Sequence, residues 1–343
     1  MNRHPDNIAD FLASPALDAN FFRAEEIFRA LPLKDKAPLV MSYRPKTFQV
    51  ETTTRCNLNC PLCSTHHLRR GYQETRLETI KGIVEENPLI RFMCLHFMGE
   101  PLMSRSIFPI IAYLKSKGVY TYFSTNGMLL EEKIPEILSS GLDKISISLD
   151  GISQADLELY RKGADLDRIL MGIRRLKEER NARGLKAPLI QIQTIMFSYN
   201  ERKEQEVLGF LQSLGMDRIK LKKPSFDTFG GENDGSAGFT RAHRDALGKY
   251  SRKRKDYMKY RDRAVCRLLF QGFALSDGSV VPCCIDYEGR HAFGNLNERS
   301  WAEVWSSEKR REVLARHFSG DLEVCKTCSL GYAYSTTVFD RAS

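Results

Sequence analysis

With 343 residues, 42% of them hydrophobic, the chain has enough material for one large domain and a smaller one, with a sizeable buried core. No apolar stretch approaches the roughly 20 residues that cross a bilayer, and the opening Met1-Asn-Arg-His-Pro-Asp lacks a secretory pattern, so a cytoplasmic setting is expected. The net charge of +9 is unevenly placed, and the nine cysteines fall mostly into close groups, which in a reducing compartment favours metal ligation over disulfides.

Residues 1–45 predict a helical segment, with helices over 6–13 and 18–31. Phe21, Phe22, Ile27, Phe28 and Leu31 give it an apolar face that is expected to pack on the main domain. The segment reads as too short for a separate peptide-recognition domain.

From residue 46 to 223, strands and helices alternate. The predicted strands are 48–53, 90–97, 119–124, 144–149, 189–196 and 217–222. Helical patterns lie between them, such as Leu77/Ile80/Val84, Ile107/Ile110/Ile111/Leu114 and Ile169/Ile173/Leu176. Repeated βα units call for a parallel sheet with helices outside it, and six units suit a (β/α)6 partial barrel within the α/β class. In such barrels, function collects on the loops that follow the strands.

Residues 224–240 are turn-rich and read as a linker or lid. Residues 241–263 then hold ten Lys/Arg against three Asp. Leu247, Tyr250, Tyr257 and Tyr260 recur at loosely helical spacing, so a solvated amphipathic helix is the favoured reading over a nucleic-acid surface or one for an acidic substrate. A small module spans 264–343, with a hairpin of strands near 268–275 and 279–282 turning at Ser276-Asp277-Gly278, and a helix over 300–316.

Chemistry enters at Glu51-Thr-Thr-Thr-Arg-Cys56-Asn-Leu-Asn-Cys60-Pro-Leu-Cys63. Three thiolates this close on one loop can wrap a single metal centre. An iron–sulfur cluster normally takes four cysteines, so three would leave one iron open. A zinc knuckle borrowing a fourth ligand is the competing reading. Further on, Cys266, Cys283 and the pair Cys325-Lys-Thr-Cys328 supply four thiolates, enough to close a second cluster with no open iron, or else a zinc ribbon. Cys94 reads as a small buried hydrophobe.

The C-x3-C-x2-C loop resembles the radical S-adenosylmethionine (SAM) superfamily, although Leu62 stands where its members usually carry an aromatic residue. The resemblance implies a 4Fe–4S cluster on Cys56, Cys60 and Cys63, with SAM bound at the open iron. It assigns Met98-Gly99-Glu100-Pro101 to the SAM amine, and the loops at Ser124-Thr-Asn126 and Ser148-Leu-Asp150 to its carboxylate and ribose. Arg161 is a candidate partner for the carboxylate, and Gln193, Ile195 and Met196 for the adenine.

The module from Cys266 to Cys328 resembles the auxiliary-cluster domains called twitch and SPASM, a small α+β unit. Asp277-Gly278, Gly294-Asn-Leu and Trp301-Ala-Glu-Val-Trp305 add to that likeness. An auxiliary 4Fe–4S cluster on Cys266, Cys283, Cys325 and Cys328 is implied, with Cys284 able to exchange roles with Cys283 or to deliver a hydrogen atom to a substrate radical.

The expected function is therefore reductive SAM cleavage and hydrogen abstraction from a small polar or anionic substrate, of the sugar or aminocyclitol type, giving epimerisation or dehydrogenation. A flavodoxin or ferredoxin is the implied reductant. A peptide-modifying maturase is the alternative within the family. A zinc-stabilised nucleic-acid-binding protein is the alternative outside it, and it leaves the Gly-Glu-Pro and Ser-x-Asp-Gly loops without a purpose.

Overall fold

The computed structural model describes residues 33–224 and 266–326, together with 239, 242–243, 248, 250, 328 and 337–340. The helices expected over 6–13 and 18–31, the lid at 224–240 and the basic helix at 241–263 lie outside the described residues, apart from the positions just named.

Six strands alternate with helices in chain order. They are β1 (Thr47–Val50), β2 (Phe92–Cys94), β3 (Tyr120–Thr125), β4 (Lys144–Ser148), β5 (Leu189–Ile195) and β6 (Arg218–Lys222). All pair in parallel and in sequence order, as six consecutive right-handed units would. After α1 (Leu33–Ser42), the intervening helices are α2 (Leu77–Glu86), α3 (Ile107–Ser116), α4 (Leu130–Ser139), α5 (Gln154–Tyr160) and α6 (Leu166–Ala182), then α7 (Ser198–Glu201) and α8 (Glu204–Ser213).

Strand alternation decides what each face meets. Met93, Phe123, Ile145, Ile147, Ile190, Ile192, Ile219 and Leu221 enter the main core with the apolar stripes of α2, α3, α4, α6 and α8. The residues between them turn to the concave side. In β4, β5 and β6 these are Lys144, Ser146 and Ser148, then Gln191 and Gln193, then Lys220 and Lys222. A parallel sheet packed on both faces would read as continuous apolar runs. The polar concave face is therefore the interior of an open barrel, not a second dry core.

The C-terminal module continues the same sheet. β7 (Gly272–Ala274) pairs in parallel with β1, and β8 (Ser279–Val280) and β9 (Gly294–Asn295) extend it antiparallel. β7 can approach β1 only because Gly272 has no side chain. A Cβ there would sit 2.2 Å from Phe48 Cε1. On the far edge, β10 (Thr337–Asp340) lies antiparallel to β6.

The helix expected over 300–316 is two helices, α9 (Trp301–Trp305) and α10 (Glu308–Ser319). Ser307 breaks the run by capping α10, its Oγ accepting from Arg310 N at 3.2 Å. The break lets Trp301 meet Phe48 edge-on at 4.8 Å while Trp305 stacks on Trp301 at 4.6 Å. Buried Arg310 lies 3.5 Å over the Trp305 ring and donates to Val40 O and Met41 O, satisfying carbonyls at the end of α1. Residues 323–326 form a short helix, α11 (Glu323–Lys326).

Candidate active site

The cysteine loop starts where β1 ends. Thr54 N donates to Gln73 O at 3.1 Å and Thr75 N to Thr52 O at 3.0 Å, so the loop closes on the segment that follows it. Cys63 N donates to Cys60 O at 3.0 Å, the turn that a two-residue spacing makes. Cys63 Sγ lies 3.1 Å from Thr65 Oγ1, and Asn126 Nδ2 donates to Cys56 Sγ at 3.9 Å.

Burial is the largest influence on two of these thiols, pushing Cys56 up to about 11 and Cys60 up to about 12. Neighbouring Cys63 adds to both shifts and Arg161 opposes both. Buried thiols that repel one another as thiolates suit a metal centre, which binds the deprotonated form and inverts that preference.

The Gly-Glu-Pro turn is docked directly on this loop. Gly99 has φ +73°, and a Cβ there would lie 2.1 Å from Thr53 O. Gly99 N donates to Thr65 Oγ1 at 3.1 Å and Glu100 N to Arg55 O at 2.6 Å. The buried Glu100 carboxylate accepts from Leu102 N (3.1 Å), Thr125 Oγ1 (2.7 Å) and Asn126 N (2.7 Å). Burial raises its pKa and these donors oppose the rise. A carboxylate offers about four lone-pair sites, so little of Glu100 remains for a ligand.

Asp150 is committed in the same way. Its Oδ2 accepts from Arg161 Nε at 2.6 Å and its Oδ1 from Ile195 N at 2.6 Å. Burial works against the Arg161 charge, yet Asp150 and Cys60 hold the guanidinium protonated, well above its usual value. Among the described residues the Nη groups of Arg161 make no hydrogen bond. Asn126 Nδ2 also donates to Asn57 Oδ1 at 2.7 Å.

Cys56, Cys60, Cys63, Gly99, Glu100, Asn126, Asp150, Arg161 and Ile195 therefore meet around one loop. Ser124 and Ser148 stand apart on the concave face, joined by Gln193 Nε2, which donates to both hydroxyls at 2.6 and 2.8 Å. Met196 is fully buried in the main core.

The second thiol group also assembles. Burial comes first in raising Cys283, followed by Cys284, Cys266 and Cys325. Cys266 is pushed up to about 12 by burial, with Cys328 adding to it. Cys284 also acts on Cys94, whose thiol is raised mainly by burial. Cys94 is more than a filler, since its Sγ lies 3.1 Å from His96 Nδ1.

Among the described residues no group of three or more His, Cys, Asp or Glu side chains is arranged to hold a single metal ion. A four-iron cluster spreads its thiolates because each cysteine binds a different iron. The donor sets fit such clusters.

Three features escaped the sequence reading. Thr65 and Thr125 pin the Gly-Glu-Pro turn, with no spacing to announce them. Fully buried Glu51 accepts from Arg70 Nη2 at 2.7 Å, and from Ser276 N and Oγ of the C-terminal hairpin. Lys144, Lys220 and Lys222 line the barrel interior. The alternation in Lys-Ile-Ser-Ile-Ser and Arg-Ile-Lys-Leu-Lys was the available signal for them.

The Radical SAM superfamily model matches residues 50–211, and the SPASM iron–sulfur cluster-binding domain model matches residues 266–329. The tungsten-containing aldehyde ferredoxin oxidoreductase cofactor-modifying protein of Pyrococcus furiosus is 25% identical over 300 residues, 77% of this chain and 82% of that one. Streptococcus suis SuiB bound to precursor peptide SuiA has the same fold, with a TM-score of 0.58 at 13% identity over 86% of this chain and 74% of that one. BtrN in complex with AdoMet and 2-DOIA gives 0.50 at 16% identity over 82% and 92%. The cofactors that follow are SAM, its 4Fe–4S cluster and an auxiliary iron–sulfur cluster. Its cysteine loop, six-unit barrel and cluster-binding extension make this chain a member of the radical SAM superfamily with a C-terminal SPASM domain.

Proposed function

We propose that the chain is an enzyme that cleaves SAM reductively and removes a hydrogen atom from a C–H bond of a small polar substrate, with net dehydrogenation or epimerisation. The observation that carries the substrate class is the concave face of β3–β6, where Ser124, Ser146, Ser148, Gln191 and Gln193 replace an apolar lining. A sugar or aminocyclitol presents the hydroxyl and amine groups such a face can meet.

Cys56, Cys60 and Cys63 would hold the SAM-binding cluster, and Cys266, Cys283, Cys325 and Cys328 the auxiliary one. When bound, cluster and SAM supply a 5′-deoxyadenosyl radical, a strong hydrogen-atom abstractor. Arg161, fixed through Nε by Asp150, offers its Nη groups to the methionine carboxylate. Glu100 and Asn126 shape the turn whose carbonyls receive the amine, and Ile195 borders the adenine. Cys284 is the candidate hydrogen donor if the product is an epimer.

Anaerobically reconstituted protein supplied with dithionite or a flavodoxin should form 5′-deoxyadenosine from SAM, faster with a matching small polar substrate. Deuterium from solvent in the product indicates epimerisation, and its absence dehydrogenation. Full iron loading without any 5′-deoxyadenosine would defeat the reading. Turnover of peptides but not of sugars or aminocyclitols would replace the substrate class.

A further inference from the structure

We propose that Tyr199 and Asn200, in the turn after β5, are positioning residues for SAM. They grip the main chain of Asp150 and so set the direction of the Arg161 guanidinium. This rests on the reading that Arg161 meets the methionine carboxylate, and it names what holds that arginine in place.

β4 ends at Ser148, and the carbonyls beyond it need partners from elsewhere. Leu149 O accepts from Thr194 Oγ1 at 2.7 Å. Asp150 O accepts from two side chains, Tyr199 Oη at 2.9 Å and Asn200 Nδ2 at 3.2 Å. Asn200 Nδ2 also donates to Ile195 O at 2.9 Å, while Ile195 N donates to Asp150 Oδ1 at 2.6 Å. Both backbone groups of Ile195, placed at the adenine in the reading above, thus belong to the same network. Asp150 Oδ2 takes Arg161 Nε at 2.6 Å. A planar guanidinium held at Nε keeps the direction of its Nη donors only while its carboxylate stays still.

The chemistry of the two grips fits a positioning role. Asn200 is 1% exposed, and its Oδ1 makes no hydrogen bond among the described residues. A buried acceptor left unpaired costs stability, so the amide is retained for its donor end. Burial first, and then the Asp150 charge, raise the Tyr199 pKa, so the hydroxyl stays a proton donor.

The turn is itself seated on two sides. Phe197 stacks on Tyr199 at 5.7 Å and lies 4.7 Å from Tyr160, the residue before Arg161. Phe239 meets Phe197 edge-on at 5.2 Å, and His243 Nδ1 lies 2.7 Å from Ser198 Oγ. Glu201 accepts from Gly248 N at 2.9 Å and from Tyr250 N at 2.8 Å. These contacts fix the turn, so the Tyr199 hydroxyl is delivered to Asp150 from a rigid base.

The test is SAM binding by equilibrium dialysis to the anaerobically reconstituted protein, with iron content read on the same samples. Tyr199→Phe keeps the ring and its stacking and removes one hydrogen bond. It should weaken SAM binding about three- to tenfold, the scale of one such bond, at parent iron content. Asn200→Ala should weaken it at least as much. In an Arg161→Met background, Tyr199→Phe should change SAM binding less than about twofold, because the hydroxyl acts only through the arginine.

Parent-like SAM binding by either single variant would overturn the inference. So would an undiminished effect of Tyr199→Phe in the Arg161→Met background, or a loss of iron in Tyr199→Phe, which would assign the turn to stability alone. If Arg161→Met itself binds SAM like the parent, the reading of Arg161 fails first. If Arg161→Met loses SAM affinity and Tyr199→Phe does not, only this inference fails.

Discussion

Arg70 and Glu51 form an ion pair at 2.7 Å that ties the cysteine loop to the C-terminal module. Glu51 is fully buried. Ser276 N and Oγ fill its other oxygen, and Arg70 Nε donates to Tyr287 O at 2.7 Å, four residues after Cys283. One carboxylate thus fixes the start of the three-cysteine loop against the hairpin and the loop that carries Cys283. Removing one partner strands a buried charge, which costs about 3–5 kcal/mol. Arg70→Met should lower stability by about 3 kcal/mol in urea unfolding, while Glu51→Gln/Arg70→Met should lose less than the two single changes added together. Additive losses would show that the pair does not act as a unit.

Gly99→Ala should remove the first cluster and spare the second. The new Cβ would overlap Thr53 O at 2.1 Å, at a φ of +73° that disfavours side chains. The Gly-Glu-Pro turn and the cysteine loop would have to separate. Iron and sulfide analysis after anaerobic reconstitution should find about half of the parent's content. Parent-level iron would show that the loop tolerates the separation.

Arg161 is expected to act on SAM affinity as well as on stability. Arg161→Met leaves Asp150 buried without its cation, so a loss of about 3 kcal/mol should accompany at least a tenfold weaker SAM binding in equilibrium dialysis. Arg161→Lys keeps a charge but not the planar donor set, and should recover stability better than affinity. Equal recovery of both would assign Arg161 to Asp150 alone.

His96 gives the fold an acid-sensitive element. Its native pKa is down to about 3, from burial first and then Lys222, Lys144 and Lys220, against about 6.5 in an unfolded chain. Below about 6.5 the unfolded chain binds a proton that the native chain refuses. The stabilisation is therefore complete above that pH and is lost as pH falls towards 3. Between pH 7.5 and 5.5 this group should cost roughly 1.4 kcal/mol, seen as a falling urea midpoint. His96→Gln should flatten that slope, and an unchanged slope would place the acid sensitivity elsewhere.

Adjacent Cys283 and Cys284 should separate cleanly. Cys283 is raised by burial first, then by neighbouring Cys284 and by Cys266 and Cys325, while Cys284 also acts on Cys94 on the barrel side. Cys284→Ala should retain about eight irons and Cys283→Ala about four. The reverse result would exchange their roles.

The chain order of strands, helices and thiol groups was readable from the sequence because each rests on local spacing. Apolar periodicity marked β1–β6 to within a few residues, and three cysteines within eight positions must share a loop. The turn at Ser306-Ser307 was harder to see, because the apolar pattern runs on through it while the Ser307 cap ends one helix and starts the next. Glu51, Lys144, Lys220, Lys222 and His96 read locally as ordinary strand or loop residues. Which face a lysine takes depends on the parallel register, and which cation meets Glu51 depends on β7 docking beside β1 at Gly272. Sequence alone determined the two thiol groups and, through their family resemblance, the cofactor class, since ligand type and spacing are local. Tertiary structure decided the coupling of the three-cysteine loop to the C-terminal module and the polar character of the concave face, because both arise from side chains brought together across long stretches of chain.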